Sequence, residues 1–69
     1  MAKIFKHFKG QSYKFIGVAT HSETEEKLVI YSNLKGEMYA RPYQMFFDNV
    51  VVNGQQIPRF MEIDDDDIS

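Results

Sequence analysis

Two tyrosines and an arginine lie close together in the stretch MYARPYQMFF, residues 38–47. Arginine pairs well with carboxylates and phosphates, and tyrosine rings offer a partner a large contact area. Side chains alternate along a strand, so Tyr39 and Arg41 share one face. We expect that face to point outward, with Met38 and Ala40 inside. The residues that we expect to bind a protein or peptide partner are Tyr39, Arg41, Tyr31, Tyr43 and His21.

The same residues fit two other roles. In the first, Tyr39 only covers the edge of the core, and Arg41 pairs with Glu37, Asp48 or the acidic C-terminal segment, as surface charges commonly do. In the second, Arg41 binds a small molecule or an anion. Residue types and spacing leave these two interpretations open beside peptide binding.

The N-terminal region indicates another class of partner, single-stranded nucleic acid. Its lysines alternate with aromatic residues, a combination that suits phosphate contacts and base stacking. These residues are Lys3, Lys6, Lys9 and Lys14, with Phe5, Phe8 and Tyr13 among them. The net charge of −2 lacks the basic excess of a typical nucleic-acid binder, so nucleic acid is the less favoured partner.

Catalysis and metal binding have weak support in the sequence. The absence of cysteine excludes disulfides, thiolate nucleophiles and cysteine-based zinc sites. His21, Ser22 and Glu23 are adjacent, but neighbours in a strand point to opposite faces, whereas a catalytic triad needs each group hydrogen-bonded to the next. Nor do His7 and His21 have the spacing of a local metal motif. We therefore expect a protein that is not an enzyme and that binds no metal or cofactor.

Charge divides the chain into two parts. The last eight residues contain Glu62 and the four aspartates 64–67, which are half of the ten acidic residues in the chain. Such a block of like charge predicts a disordered acidic tail over residues 62–69, behind a single domain over residues 1–61. The basic start of the chain precedes no apolar run of signal-peptide or membrane-span length, so we expect a cytoplasmic protein without membrane contact.

Short strands separated by turn residues account for the first part of the domain. Alternating and β-branched runs predict strands over Ser12–Thr20, Lys27–Ser32 and Met38–Arg41. Pro42 ends the third strand, which allows a single helical turn over residues 42–47. We expect this turn to point two large side chains into the core, namely Met45 and Phe46.

The run VVVNGQQIPRF predicts a hairpin at the end of the domain. Asn53 and Gly54 are the favoured central pair of a type I′ turn, and Pro58 places the last strand, residues 56–60, at the edge or end of a sheet. The fold class is therefore mainly β: an SH3-like roll or small antiparallel barrel of about five strands with one short helical turn. Edge strands on so small a core favour a monomer or a weak homodimer.

The chain resembles a small bacterial family, the domain of unknown function 1653. The resemblance covers about residues 5–61 and rests on five motifs: HFKG at 7–10, HSET at 21–24, LVIY at 28–31, RP at 41–42 with MF at 45–46, and NG at 53–54 followed by IPRF. It implies an SH3-like barrel and no established activity. The family has a longer loop that ends in tryptophan before the Arg-Pro pair, and Tyr39 stands in its place.

Overall fold

The structure is a computed structural model and describes residues 3–63. Seven strands and one short helix follow one another in this part of the chain. They are β1 (Lys3–His7), β2 (Ser12–Thr20), β3 (Lys27–Asn33), β4 (Met38–Pro42), α1 (Tyr43–Phe46), β5 (Asn49–Val52), β6 (Gln55–Pro58) and β7 (Phe60–Ile63). The predicted mainly β fold with one short helical turn is confirmed, with more strands than the five expected.

Five of the strands form one antiparallel sheet in the order β4-β3-β2-β1-β7, and β5 and β6 form a separate hairpin. Within residues 3–63 the sheet does not close into a barrel, because β4 and β7 remain as its two edges. It is nevertheless strongly curled. In a flat sheet these edges would lie about 19 Å apart, yet the Arg41 guanidinium of β4 lies 5.6 Å from the ring centre of Phe60 in β7. The inner face of the sheet is therefore a trough.

The sequence did not predict β1 and β7. β1 pairs with β2 on one side and with β7 on the other. Ile4 and Phe5 are adjacent and both buried, so β1 lacks the alternation by which strands are recognised. β7 includes Glu62 and Ile63, the first two residues of the predicted acidic tail. The rest of that tail lies outside the described residues, and its disorder stays a prediction.

Two local backbone features shape these strands, and the second lies where the sequence predicts it. The register of β2 against β3 shifts between Phe15 and Gly17, which marks a β-bulge. Asn53 and Gly54 have φ values of 53° and 79°, both positive as a type I′ turn requires. The β5–β6 hairpin that they connect contains no buried residue. It therefore projects from the sheet instead of contributing to the core.

The core is a cluster of mainly aromatic side chains on the inner face of the sheet. Its buried members are Phe5, Val29, Tyr31, Phe46 and Phe60. Phe46, from α1, is fully buried and stacks on Phe60 with the ring centres 4.2 Å apart. Met45 is 49% exposed. The predicted inward direction is thus confirmed for Phe46 and wrong for Met45, because adjacent side chains on a single helical turn point in different directions.

The two faces of β4 are the reverse of the prediction. Tyr39 lies opposite Tyr31, and Arg41 opposite Val29, so both point to the inner face with those two core residues. The side chains on the outer face are Met38 and Ala40, and the Met38 side chain is 63% exposed. Because β4 is an edge strand, the inner face is only partly covered at this point. Tyr39 remains 41% exposed, and Arg41 is half-buried.

Candidate binding surface around Tyr39 and Arg41

Three tyrosine rings and an arginine meet on the inner face of three neighbouring strands. The ring centre of Tyr31 in β3 lies 5.5 Å from that of Tyr39 in β4 and 5.4 Å from that of Tyr13 in β2. Tyr13 and Tyr39 are 6.3 Å apart. Tyr31 is buried, whereas the other two rings are partly exposed. We name these three tyrosines and Arg41 the Tyr39–Arg41 surface.

Arg41 is held by aromatic groups. Its Nε donates a long hydrogen bond of 3.4 Å to the Tyr31 hydroxyl, and its Cζ lies 5.6 Å from the centre of the Phe60 ring. Among residues 3–63, its other N–H groups donate no hydrogen bond and no carboxylate lies within ion-pair distance of it. A guanidinium has five donors in a planar fork. Most of the hydrogen-bonding capacity of Arg41 is therefore available to a ligand.

Asp48 lies near this guanidinium but is engaged by another arginine. Arg59 donates from Nε to one oxygen of Asp48 at 2.7 Å and from an Nη to the other at 3.4 Å. The hydrogen bond from Arg59 is the main reason that the pKa of Asp48 is lowered, and the charge of Arg41 adds a smaller effect in the same direction. The Asp48–Arg59 pair joins the two ends of the β5–β6 hairpin, so Asp48 has a structural partner already.

His7 adds a titratable group beside the surface. It lies opposite Phe60 in the β1–β7 ladder, and the two ring centres are 4.9 Å apart. Its pKa is lowered, first by burial and then by the positive charges of Arg41, Arg59 and Lys9. A neutral His7 beside Arg41 avoids repulsion between two cations, and an anion bound at Arg41 would favour the protonated form.

Asn33, at the end of β3, fixes the position of Tyr39. Its Nδ2 donates to the Tyr39 hydroxyl at 3.3 Å and to Glu37 Oε1 at 2.7 Å. Its Oδ1 accepts backbone N–H bonds from Lys35 and Glu37, which holds the β3–β4 turn. Tyr13 and Tyr39 also line a shallow pocket of about 480 Å³ beside this turn. The partly exposed rings thus form one wall of a recess large enough for several side chains.

The structure does not bring all the predicted site residues together. Tyr31, Tyr39 and Arg41 meet, whereas Tyr43 lies on α1 with its ring 4.8 Å from that of Phe47. His21 lies in the β2–β3 turn, where its Nδ1 accepts backbone N–H bonds of 3.2 and 3.3 Å from the two residues at positions 23 and 24. His21 thus serves the local turn. A binding role for Tyr43 or His21 would belong to a different part of the molecule.

The basic N-terminal region does not form a single surface. Lys3 and Lys6 differ by an odd number of positions in β1 and so point to opposite faces of the sheet. Phe5 is buried in the core, with its ring 5.3 Å from that of Phe46. Phe5, one of the three rings that the sequence offers for base stacking, is therefore part of the core.

Three residues beside or within the surface were not among those predicted for a peptide site: His7, Tyr13 and Phe60. Alternation places Tyr13 on the same face of β2 as Phe15, and its proximity to Tyr31 then depends on the register of β2 against β3, in which Phe15 lies opposite Tyr31. His7 and Phe60 meet only because β1 pairs with β7, and those two strands carry no clear local signal. Their proximity is a consequence of the fold that sequence spacing does not show.

A family model described as "Protein of unknown function (DUF1653)" matches residues 3–62. The chain belongs to this family. A crystal structure of a DUF1653 protein from Bordetella bronchiseptica is similar to this chain, with a TM-score of 0.81 and 27% identity over 91% of this chain and 86% of the other. The resemblance to DUF1653 in the sequence motifs is thus confirmed. No curated protein matches the chain. The family description names no activity.

The one helix in residues 3–63, α1, is not long and apolar enough to span a membrane.

Proposed function

We propose that this DUF1653 protein is a small cytoplasmic, SH3-like binding module without catalytic activity. Its ligand is a carboxylate-bearing segment of a protein or peptide, and the Tyr39–Arg41 surface is the binding site. The observation that carries the proposal is the state of Arg41, a half-buried guanidinium among aromatic rings with no carboxylate partner within residues 3–63.

Partial burial makes this charge a good receptor. A charged group that is partly removed from water has lost some of its hydration, and an opposite charge with hydrogen bonds restores that interaction. Hydrogen bonds to charged groups contribute about 1.5–3 kcal/mol, more than those between neutral groups. At this surface only the Arg41 guanidinium is free within residues 3–63, since Arg59 is paired with Asp48. One positive charge matches a carboxylate better than it matches a phosphate dianion.

The surroundings of Arg41 favour a polypeptide over a free anion. Tyr13 and Tyr39 present partly exposed rings next to the charge and line the recess of about 480 Å³. Tyrosine and arginine are among the residue types that contribute most to the affinity of protein interfaces. A small anion would use Arg41 and leave the rings unoccupied, whereas a peptide side chain beside the carboxylate would cover them.

Two other functions have less support. Single-stranded nucleic acid would need several accessible rings next to the lysines. Phe8 is half-buried, with the Lys9 Nζ 5.8 Å from its ring centre, but Phe5 is in the core. Catalysis would need a histidine that contacts a nucleophile. In the described residues, His7 Nδ1 accepts the Lys9 backbone N–H at 3.1 Å, and His21 Nδ1 accepts backbone N–H groups of its own turn.

Selection from a phage library of random 12-residue peptides tests the proposal even though the natural ligand is unidentified. We expect the wild-type protein to enrich sequences that contain aspartate or glutamate beside aromatic or β-branched residues. Arg41→Gln should lose this enrichment. Lys14→Gln is the matched control, because it removes the same charge from the opposite face of the sheet, and it should retain the enrichment.

Three results would contradict the proposal. The first is a wild-type consensus without an acidic residue, or no consensus. The second is the same consensus with Arg41→Gln. The third is binding of free acetate or phosphate as tightly as the selected peptides, which would assign the surface to a small anion.

A further inference from the structure

The strand that carries Tyr39 and Arg41 has an open edge. β4 is the outermost strand of the five-stranded sheet, and in the described residues it pairs only with β3. An unpaired edge presents a row of backbone N–H and C=O groups that another strand can join. Met38, Tyr39 and Ala40 are all exposed, so no other element within residues 3–63 covers this part of the edge.

The ladder shows which backbone groups of β4 are free. Asn33 N–H donates to the Glu37 carbonyl at 2.9 Å, and hydrogen-bonded pairs alternate along an antiparallel ladder. Tyr39 and Arg41, two and four positions after Glu37, therefore direct their backbone groups to β3. Met38 and Ala40 direct theirs to the open edge. Pro42 presents only its carbonyl, because proline has no N–H.

We propose that the open edge of β4 binds an extended peptide as an added antiparallel strand, with an acidic residue opposite Arg41 and an apolar residue opposite Tyr39. This inference rests on the proposed function and specifies how the partner binds. The added strand would exchange two hydrogen bonds with Ala40 and two with Met38, and would donate one to the Pro42 carbonyl. Added strands of this kind gain affinity from the backbone and specificity from alternate side chains.

The register of the added strand places one ligand residue directly against the positive charge of Arg41, and an acidic residue fits this position best. Since the backbone of Arg41 points to β3, Arg41 and the residue opposite it in the new strand form a non-hydrogen-bonded pair. Side chains approach most closely in such pairs, where the Cα atoms are about 4.5 Å apart. A glutamate at this position would place its carboxylate against the free guanidinium. The next residue on the same face would pack on the Tyr39 ring.

Arg41 also protects the edge. A charged side chain on the inner face of an edge strand discourages pairing with an arbitrary strand, because the added strand would desolvate an unpaired charge. Only a strand with a carboxylate at the matching position removes this cost. The same arginine would thus reject most strands and select acidic ones, which is how specificity is commonly achieved at interfaces.

The test uses a peptide with blocked ends and the central sequence Thr-Glu-Val-Leu-Thr. In the proposed register its five residues lie opposite positions 42, 41, 40, 39 and 38 of β4, in that order. We expect the glutamine version of this peptide to bind at least about tenfold more weakly. N-methylation of the valine nitrogen removes a hydrogen bond to Ala40 and should weaken binding at least about fivefold. N-methylation of the leucine nitrogen is the matched control, since that N–H points away from β4, and it should leave the affinity nearly unchanged.

The outcomes separate the two proposals. If the glutamine peptide binds more weakly than the glutamate peptide but the two N-methylated peptides bind equally well, carboxylate binding stands and strand addition is wrong. If the glutamate and glutamine peptides bind alike, or neither binds, both proposals are wrong. A stable dimer in sedimentation that no peptide dissociates would assign the edge to a second copy of the chain and also overturn strand addition. Slower hydrogen exchange of the Ala40 amide in the presence of the glutamate peptide than in its absence would support strand addition.

Discussion

Replacement of Arg41 by glutamine separates a binding role from a structural role. In the free protein, the side chain of Arg41 makes one hydrogen bond at 3.4 Å, close to the limit of such a bond, and lies 5.6 Å from the Phe60 ring. A cation–π contact at a partly exposed site contributes about 0.5–1 kcal/mol. A hydrogen bond this long adds less than the usual contribution of about 1 kcal/mol. Arg41→Gln should therefore lower the free energy of unfolding by about 1 kcal/mol.

That loss is small enough to leave the protein folded. For a domain of this size, about 1 kcal/mol corresponds to a decrease in Tm of roughly 4–8 °C. Binding should suffer more, because the charge-assisted hydrogen bonds to a carboxylate are lost. Their contribution of about 1.5–3 kcal/mol corresponds to a decrease in affinity of about 10- to 150-fold. A single substitution should thus have a modest effect on stability and a large effect on affinity.

Urea unfolding and calorimetric titration with the glutamate peptide measure the two quantities on the same samples. Lys14→Gln controls for net charge and should change neither stability nor affinity appreciably. A decrease of about 3 kcal/mol or more in the free energy of unfolding, which is the range expected for a core residue, would show that Arg41 is structural. An affinity unchanged by Arg41→Gln would refute the assignment of the carboxylate to this guanidinium.

The fold and the electrostatics give four further predictions. Phe46→Ala should lower the free energy of unfolding by about 3–5 kcal/mol in urea titrations and leave much of the protein unfolded, whereas Met45→Ala next to it should have a small effect. The folded state lowers the pKa of His7, so the unfolded state binds more protons as the pH falls through about 6.5, the usual pKa of histidine. The stability of the protein, measured by thermal unfolding, should therefore decrease in that range. The decrease should be smaller in His7→Gln. A carboxylate bound beside His7 reverses this effect, so peptide affinity should increase as the pH is lowered from 7.5 to 6, roughly the range in which histidine titrates. Gly54→Ala should cost about 1–2 kcal/mol, because φ is +79° and this conformation strains any residue with a Cβ, whereas Gly17→Ala, without positive φ and with open space at the Cβ, should be neutral or slightly stabilising.

The local features of the fold were accessible from the sequence. Ser12–Thr20 is predicted with the bounds that the structure shows, and the turn at Asn53 and Gly54 follows from the need for two positive φ values. These features depend on a few neighbouring residues. β7 could not be predicted in the same way because its hydrogen bonds come from β1, a strand distant in sequence. β1 forms a hairpin with the neighbouring β2, but its adjacent buried residues Ile4 and Phe5 hide the alternation of a strand.

The predicted orientation of the β4 side chains, with Tyr39 and Arg41 outside, is wrong for a related reason. Alternation shows which side chains share a face, but it does not show which face meets the core. Met38 and Ala40 are the more apolar pair, so hydropathy favours them as the inner pair. The core instead consists mainly of rings, and Tyr39 continues it from Tyr31. A partly exposed surface of rings and one arginine thus arises where an aromatic core reaches the edge of its sheet.

The most direct measurement is the signal of the Arg41 side-chain Nε–H in a ¹⁵N nuclear magnetic resonance spectrum during titration with the glutamate peptide. We expect this signal and the amides of Tyr39 and Ala40 to shift with the glutamate peptide and to shift far less with the glutamine version. Shifts confined to the β5–β6 hairpin or to the outer face of the sheet, or no shift at Arg41, would contradict a carboxylate site at this arginine.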